Sequence, residues 1–218
     1  MTSHPSADVS DARARLAELI RAKSFSDDRE FTLASGRKSW VYFNMKPTMM
    51  DAEGAHLLAA LLLRAVRGTG ADLVGGMELG GVPLVSIVAA ASFSDGGAPL
   101  AAFFVRKKAK DHGSQTRVEG LAPGAALRGR RIVMLEDVTT TGGSILSAVS
   151  EVRESGGRVD HVVTVVDRQE GAAAALEHEG LTLTALFTAR DCTDKLLASV
   201  DDPAGIDAEL LDIVDAAV

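Results

Sequence analysis

The stretch Arg131-Ile-Val-Met-Leu-Glu-Asp-Val-Thr-Thr-Thr-Gly-Gly-Ser144 passes from an apolar run to two adjacent carboxylates, then to small hydroxyl residues and glycines, and into an apolar helical pattern. A run with so little inward charge suits a strand covered on both faces. A helix beginning just beyond the strand's carboxyl end turns its first amides, and the positive end of its dipole, toward whatever sits above the sheet. The amides of residues 139–144, with the hydroxyls of Thr139, Thr141 and Ser144, therefore predict a phosphate cradle, and Gly142 and Gly143 let the backbone come close to the anion. Glu136 and Asp137 would repel a phosphate, so they read as acceptors for the neighbouring hydroxyls of a sugar. The implied ligand is a sugar 5-phosphate. The spacing and the missing lysine set the segment apart from the P-loop, and no Gly-x-Gly-x-x-Gly opens a dinucleotide-binding unit.

Outward from this segment, apolar runs at 72–76, 100–105, 131–135, 161–167 and 181–187 alternate with helical patterns at 82–93, 144–154 and 172–179. That alternation predicts an α/β fold with a central, mostly parallel sheet, right-handed crossovers, helices on both faces and a site at the strands' carboxyl ends. Before it, Leu16, Leu19 and Ile20 mark one face of a first helix capped by Ser10, and a strongly apolar helix runs from Asp51 to Gly68. Between them, residues 31–44 read as a hairpin: Ser35-Gly36 is its turn and Trp40-Val-Tyr-Phe43 its second strand. The end of the chain, 207–218, reads as a short amphipathic helix. The expected organisation is one domain over 1–218: a helix-and-hairpin hood at 1–50, a core with the site at 51–190 and a helical tail at 191–218.

Composition narrows the function. A net charge of −7 opposes a general nucleic-acid binder, which needs a positive field over one face. The longest apolar stretch, 82–93, is too short and too interrupted by serine to cross a bilayer, and no export signal opens the chain, so a cytoplasmic protein is expected. One cysteine, Cys192, can form no intramolecular disulfide and reads as structural. The segment 106–119 reverses the overall charge, with five basic and two acidic side chains. Alone, such a run is most simply a solvated face.

With the strand-acid-Thr/Gly segment in view, the chain resembles the type I phosphoribosyltransferases, whose motif for 5-phosphoribosyl 1-pyrophosphate (PRPP) has the same order. Within them it resembles the orotate phosphoribosyltransferases over roughly residues 25–190, through Phe31-Thr-Leu-Ala-Ser-Gly-Arg-Lys-Ser39, Arg106-Lys-Lys-Ala-Lys-Asp-His-Gly113, Glu136–Ser144 and Val166-Asp-Arg-Gln-Glu170. The resemblance implies the type I phosphoribosyltransferase fold with a small N-terminal hood. It also implies transfer of a phosphoribosyl group from PRPP to orotate, giving orotidine 5′-monophosphate in pyrimidine synthesis. PRPP would be held by Arg106, Lys107, Lys110, His112, Glu136, Asp137, Val138, Thr139, Thr140, Thr141, Gly142, Gly143 and Ser144. Tyr42, Phe43, Thr140 and Arg168 would hold orotate, and Lys110, His112 and Asp137 would carry catalysis. Without a binding site of protein ligands, Mg²⁺ would travel mainly with PRPP and pyrophosphate. The working unit would be a homodimer with shared active sites, and neither nucleic acid nor membrane is an expected partner.

Two departures from the family pattern stand out. Ala34 occupies a position where many members carry lysine, so that one cationic contact to pyrophosphate is either absent or supplied by Arg37 or Lys38. Gly75-Gly-Met-Glu-Leu-Gly-Gly81 lacks the Tyr-Lys pair of some members and would meet pyrophosphate through its amides. The competing readings are a phosphoribosyltransferase for another nucleobase, a PRPP-sensing regulator that binds nucleic acid, and a nucleotide-binding module without chemistry. The Tyr42, Phe43 and Arg168 wall separates the first from the orotate reading, and a basic face or helix-turn-helix extension would mark the second.

Overall fold

A computed structural model of the chain describes residues 9–27, 30–32, 38–108 and 117–192. The elements run α1 (Val9–Lys23), β1 (Phe25–Ser26), β2 (Phe31–Thr32), β3 (Lys38–Ser39), β4 (Tyr42–Phe43), α2 (Lys46–Met50), α3 (Ala52–Arg67), β5 (Leu73–Met77), α4 (Gly81–Ser94), β6 (Ala101–Val105), β7 (Val118–Glu119), β8 (Arg131–Thr139), α5 (Gly143–Glu154), β9 (Arg158–Asp167), α6 (Ala172–His178) and β10 (Thr182–Thr188). Six strands form the main sheet in the order β10-β9-β8-β5-β6-β7, parallel except for β7.

The period of two along the strands divides the apolar interior into two layers. Val74, Val133, Leu135 and Val163 pack with side chains of α1, α3 and α4. Their neighbours Leu73, Met77, Ile132, Met134 and Val162 pack with α5 and α6 on the other face. Helix α3 is held at its start by Asp51, whose carboxylate accepts from Gly54 N at 2.9 Å, and it buries Leu58, Leu62 and Val66 almost completely. Each such side chain contributes roughly 1.5–3 kcal/mol of burial.

Close packing explains most of the glycines around β5. A Cβ at Gly75 would stand 2.4 Å from the Phe103 ring, and one at Gly76 would stand 2.9 Å from Gly81 Cα at the start of α4. These residues bring strand, neighbouring strand and helix together, and only the short turn between β5 and α4 is left to face a ligand.

Four expectations change. The strand expected at 131–135 continues to Thr139, so Glu136 and Asp137 lie within β8. Trp40–Phe43 is not the second strand of the expected hairpin. Phe31–Thr32 pairs with Lys38–Ser39, and Tyr42–Phe43 crosses instead to Phe25–Ser26, where the rings of Phe25 and Phe43 meet at 5.3 Å between centroids. Ser39 makes the bend, its hydroxyl donating to Val41 O and accepting from Val41 N. Ser10 sits inside α1 rather than capping it. The antiparallel edge strand β7 is an addition, two residues being too few to show a period. The hairpin turn at Ser35-Gly36, with Ala34 and Arg37, and the tail helix lie outside the described residues. Cys192 is buried. No described helix is long and apolar enough to cross a membrane.

Candidate active site

Strands β5 and β8 are neighbours, yet the chain winds away from them in opposite directions, through β6 and β7 on one side and β9 and β10 on the other. Such a switch point opens a crevice at the strands' carboxyl ends. The β5–β8 pairing stops at Gly76 and Leu135 while β8 continues beside β9, so Glu136 and Asp137 emerge along the open edge. A cavity of about 380 Å³ lies there, lined by Tyr42, Phe43, Met77, Glu78, Lys107, Arg168, Ile145 and the whole of residues 136–144.

The cradle follows the expected plan in its backbone. Gly142 takes φ +83, a left-handed conformation that favours glycine, and precedes α5 with no side-chain cap on that helix end. The first-turn amides are thus the groups a bound anion would meet. Thr141, Gly143 and Ser144 are exposed. Thr139 differs from expectation: its buried hydroxyl donates to Asp167 Oδ1 at 3.2 Å, and the same oxygen accepts from Gln169 N at 3.0 Å. This side chain braces the two strand ends.

The two carboxylates are unequal. Burial first, and the adjacent Asp137 second, raise the Glu136 carboxyl well above the ordinary glutamate value of 4.5. An acid so raised binds its proton more tightly in the folded than in the unfolded chain. Its stabilisation is complete below the unfolded value and is lost as pH rises toward the folded one. Glu136→Gln, which keeps the neutral shape, is therefore expected to raise Tm at about pH 8 and to lose that gain toward about pH 5. A gain independent of pH would show that the group does not titrate in this window.

Asp137 lies directly against the β5–α4 turn. A Cβ at Gly80 would fall 2.4 Å from the Asp137 carboxylate, while the backbone there, at φ −66 and ψ −39, suits any residue. Gly80→Ala is expected to leave Tm nearly unchanged but to displace this carboxylate, lowering kcat/KM for PRPP about 10- to 100-fold. Unaltered kinetics would show that Asp137 needs no such room.

The basic segment is rooted on the sheet edge. Arg106 N donates to Arg117 O at 2.8 Å and Arg117 Nε to Arg106 O at 2.6 Å, stitching the arms that extend β6 and β7. Arg106 pairs with Glu119 at 3.3 Å and approaches Glu78 at 3.9 Å, so it belongs to the root and does not line the cavity. Lys107 does line it, its amide donating to Glu78 Oε1 at 2.6 Å. Lys110 and His112 lie outside the described residues. Glu78, for which no motif or spacing suggests a role, joins the β5–α4 turn to this root.

The opposite wall brings Tyr42, Phe43 and Arg168 together across a long sequence gap. Phe43 is buried, and the Tyr42 ring stacks on Phe31 at 4.9 Å. The Arg168 side chain is only 7% exposed and pairs with Glu170 at 2.7 Å. The ion pair that a surface arginine would make is present, but the guanidinium is inside the site. Thr140 lines the cavity, and its carbonyl accepts from Ala172 N at 3.0 Å.

An uncapped helix start, two carboxylates beside it and a walled pocket next to both are the parts that binding a phosphorylated sugar would need. The phosphoribosyl transferase domain model matches residues 49–182. An orotate phosphoribosyltransferase of Bradyrhizobium sp. (strain ORS 278) is 54% identical over 180 residues, covering 83% of this chain and 96% of that protein. That of Rhodopseudomonas palustris (strain BisB5) is 53% identical over 180 residues, with 83% and 95% covered. Among solved structures, the Mycobacterium tuberculosis orotate phosphoribosyltransferase in complex with PRPP is 34% identical with a TM-score of 0.68, covering 84% of this chain and 99% of that one. The chain belongs to the orotate phosphoribosyltransferase family.

Proposed function

We propose that the cavity residues divide among themselves the transfer of the 5-phosphoribosyl group from PRPP to N1 of orotate, giving orotidine 5′-monophosphate and pyrophosphate. The carrying observation is the continuity of one cavity from the cradle at residues 139–144, past Glu136 and Asp137, to Tyr42, Phe43 and Arg168. In this reading the amides at the start of α5 and the hydroxyls of Thr141 and Ser144 hold the 5-phosphate, and Glu136 and Asp137 accept the ribose hydroxyls. Orotate, flat and anionic, lies against Tyr42 and Phe43, with Thr140 nearby and its carboxylate on Arg168, since a guanidinium can meet two carboxylate oxygens at once.

The bond from C1 of ribose to the pyrophosphate oxygen breaks with its electron pair leaving on oxygen, the N1–C1 bond forms on the opposite face, inverting the anomeric carbon, and the N1 proton passes to the departing pyrophosphate or to solvent. Orotate's existing charge lessens the need for a strong base. The protein's part is positioning and electrostatics: Lys107, Lys110 and His112 stabilise the charge that gathers on pyrophosphate. Magnesium neutralises pyrophosphate charge when it accompanies the substrate. Phosphate oxygens and water would fill most of that ion's shell, as its reluctance to dehydrate suggests. A homodimer in the cytoplasm, with the basic loop crossing into the partner's site, completes the proposal.

Product analysis tests it. Incubation with PRPP, magnesium and orotate is expected to yield orotidine 5′-monophosphate and pyrophosphate in equal amounts. Pyrophosphate release with free ribose 5-phosphate and no nucleotide would contradict it.

A further inference from the structure

We propose that Ser39 positions the Arg168 guanidinium for the base, so that grip on the base's carboxylate depends on the seating of the N-terminal hairpin. The inference rests on the assignment of Arg168 to the orotate carboxylate made above. Arg168 Nη2 donates to Ser39 Oγ at 3.0 Å, and Glu170 Oε1 stands 2.7 Å from the same nitrogen. That nitrogen is thus held from two sides, by the hood and by the β9–α6 turn, which fixes the plane of a side chain whose backbone amide is itself bonded to Thr139 O at 3.0 Å.

The hydroxyl that does this has no alternative arrangement. A serine Oγ offers one donor and two acceptor positions. It donates to Val41 O at 2.9 Å and accepts from Val41 N at 3.1 Å and from Arg168. Val41 is buried in the core with Phe43, so the bend at Ser39–Val41 is anchored below while the guanidinium rests on it from the cavity side. The same bend leads into Tyr42 and Phe43, so one hydroxyl sets the edge of the aromatic wall and the direction of the cation. A base lacking a carboxylate would gain nothing from this contact.

Kinetics of Ser39→Ala and Ser39→Thr, alone and with Arg168→Ala, test the role. Ser39→Ala is expected to raise KM for orotate about tenfold, the effect of one hydrogen bond to a charged group, with kcat and KM for PRPP within about twofold. Ser39→Thr keeps the hydroxyl and is expected to stay within about threefold of the unsubstituted protein. In the Arg168→Ala background, Ser39→Ala is expected to add less than about a twofold further loss, because its partner is gone. Trp40 is the single tryptophan and adjoins Ser39, so its fluorescence gives orotate affinity without turnover and confirms that each variant is folded. Equal losses in both backgrounds would overturn the proposal, since the hydroxyl would then only shape the bend. An unchanged orotate KM in Ser39→Ala would overturn it as well. If Arg168→Ala itself leaves orotate KM unchanged, the assignment of Arg168 fails, and this role falls with it.

Discussion

Arg168→Ala is expected to lower kcat/KM for orotate about 1000-fold while leaving KM for PRPP within about threefold. The magnitude follows from burial. The guanidinium is nearly enclosed and lines the cavity, so its removal leaves an incoming carboxylate desolvated without a partner, a loss of about 2–5 kcal/mol. It also removes the 2.7 Å ion pair with Glu170. Arg168→Lys is expected to recover only part of the loss, because an ammonium offers a point charge where a planar fork met two oxygens. Steady-state kinetics with each substrate varied in turn will separate the outcomes. A loss confined to PRPP would move Arg168 from the base to the pyrophosphate side of the site.

The second large effect is expected at Lys110, where alanine should lower kcat about 100- to 1000-fold with smaller changes in either KM. Removing a charge that acts on a leaving group costs most when the bond is breaking, because the ground state has less charge there to stabilise. On either side of the segment carrying Lys110, Arg106 and Arg117 are stitched to each other, and Lys107 is tied to Glu78 in the cavity wall. The pair of variants also tests sharing between subunits. If the loop crosses, mixing Lys110→Ala with Arg168→Ala protein restores activity, since one site of each mixed dimer then holds both native side chains. A loop that serves its own chain gives mixtures no more active than their parts.

The sequence exposed what is local. The order apolar run, two acids, threonines, glycines and helix states a chemistry within fourteen consecutive residues, and β8, its loop and α5 fall where that order requires. The alternation of strands and helices likewise revealed the parallel sheet, because each buried strand is a short apolar run. Pairing over distance was hidden. Tyr42–Phe43 looked like the return strand of a hairpin from its propensity, but packing of Phe43 on Phe25 decides its partner. The contacts of Ser39 with Arg168, 129 residues apart, and of Thr139 with Asp167 leave no trace in spacing. Gly80 stood in a segment expected to meet pyrophosphate through its amides, yet a Cβ there would strike the carboxylate of a residue on another strand. Tyr42, Phe43 and Arg168 were reached only through resemblance to a family, and the structure supplies the physical reason for grouping them, a shared cavity wall.

Selection of an anionic pyrimidine by this wall is the proposed basis of specificity for the phosphoribosyl group held beside it. Its most direct measurement is base consumption, followed by ultraviolet absorbance, with purified protein, PRPP and magnesium and with orotate, uracil, adenine and hypoxanthine supplied in parallel. Loss of orotate alone is expected, collapsing in Lys110→Ala. Consumption of a base without a carboxylate, or tight PRPP binding with no base consumed, would contradict it.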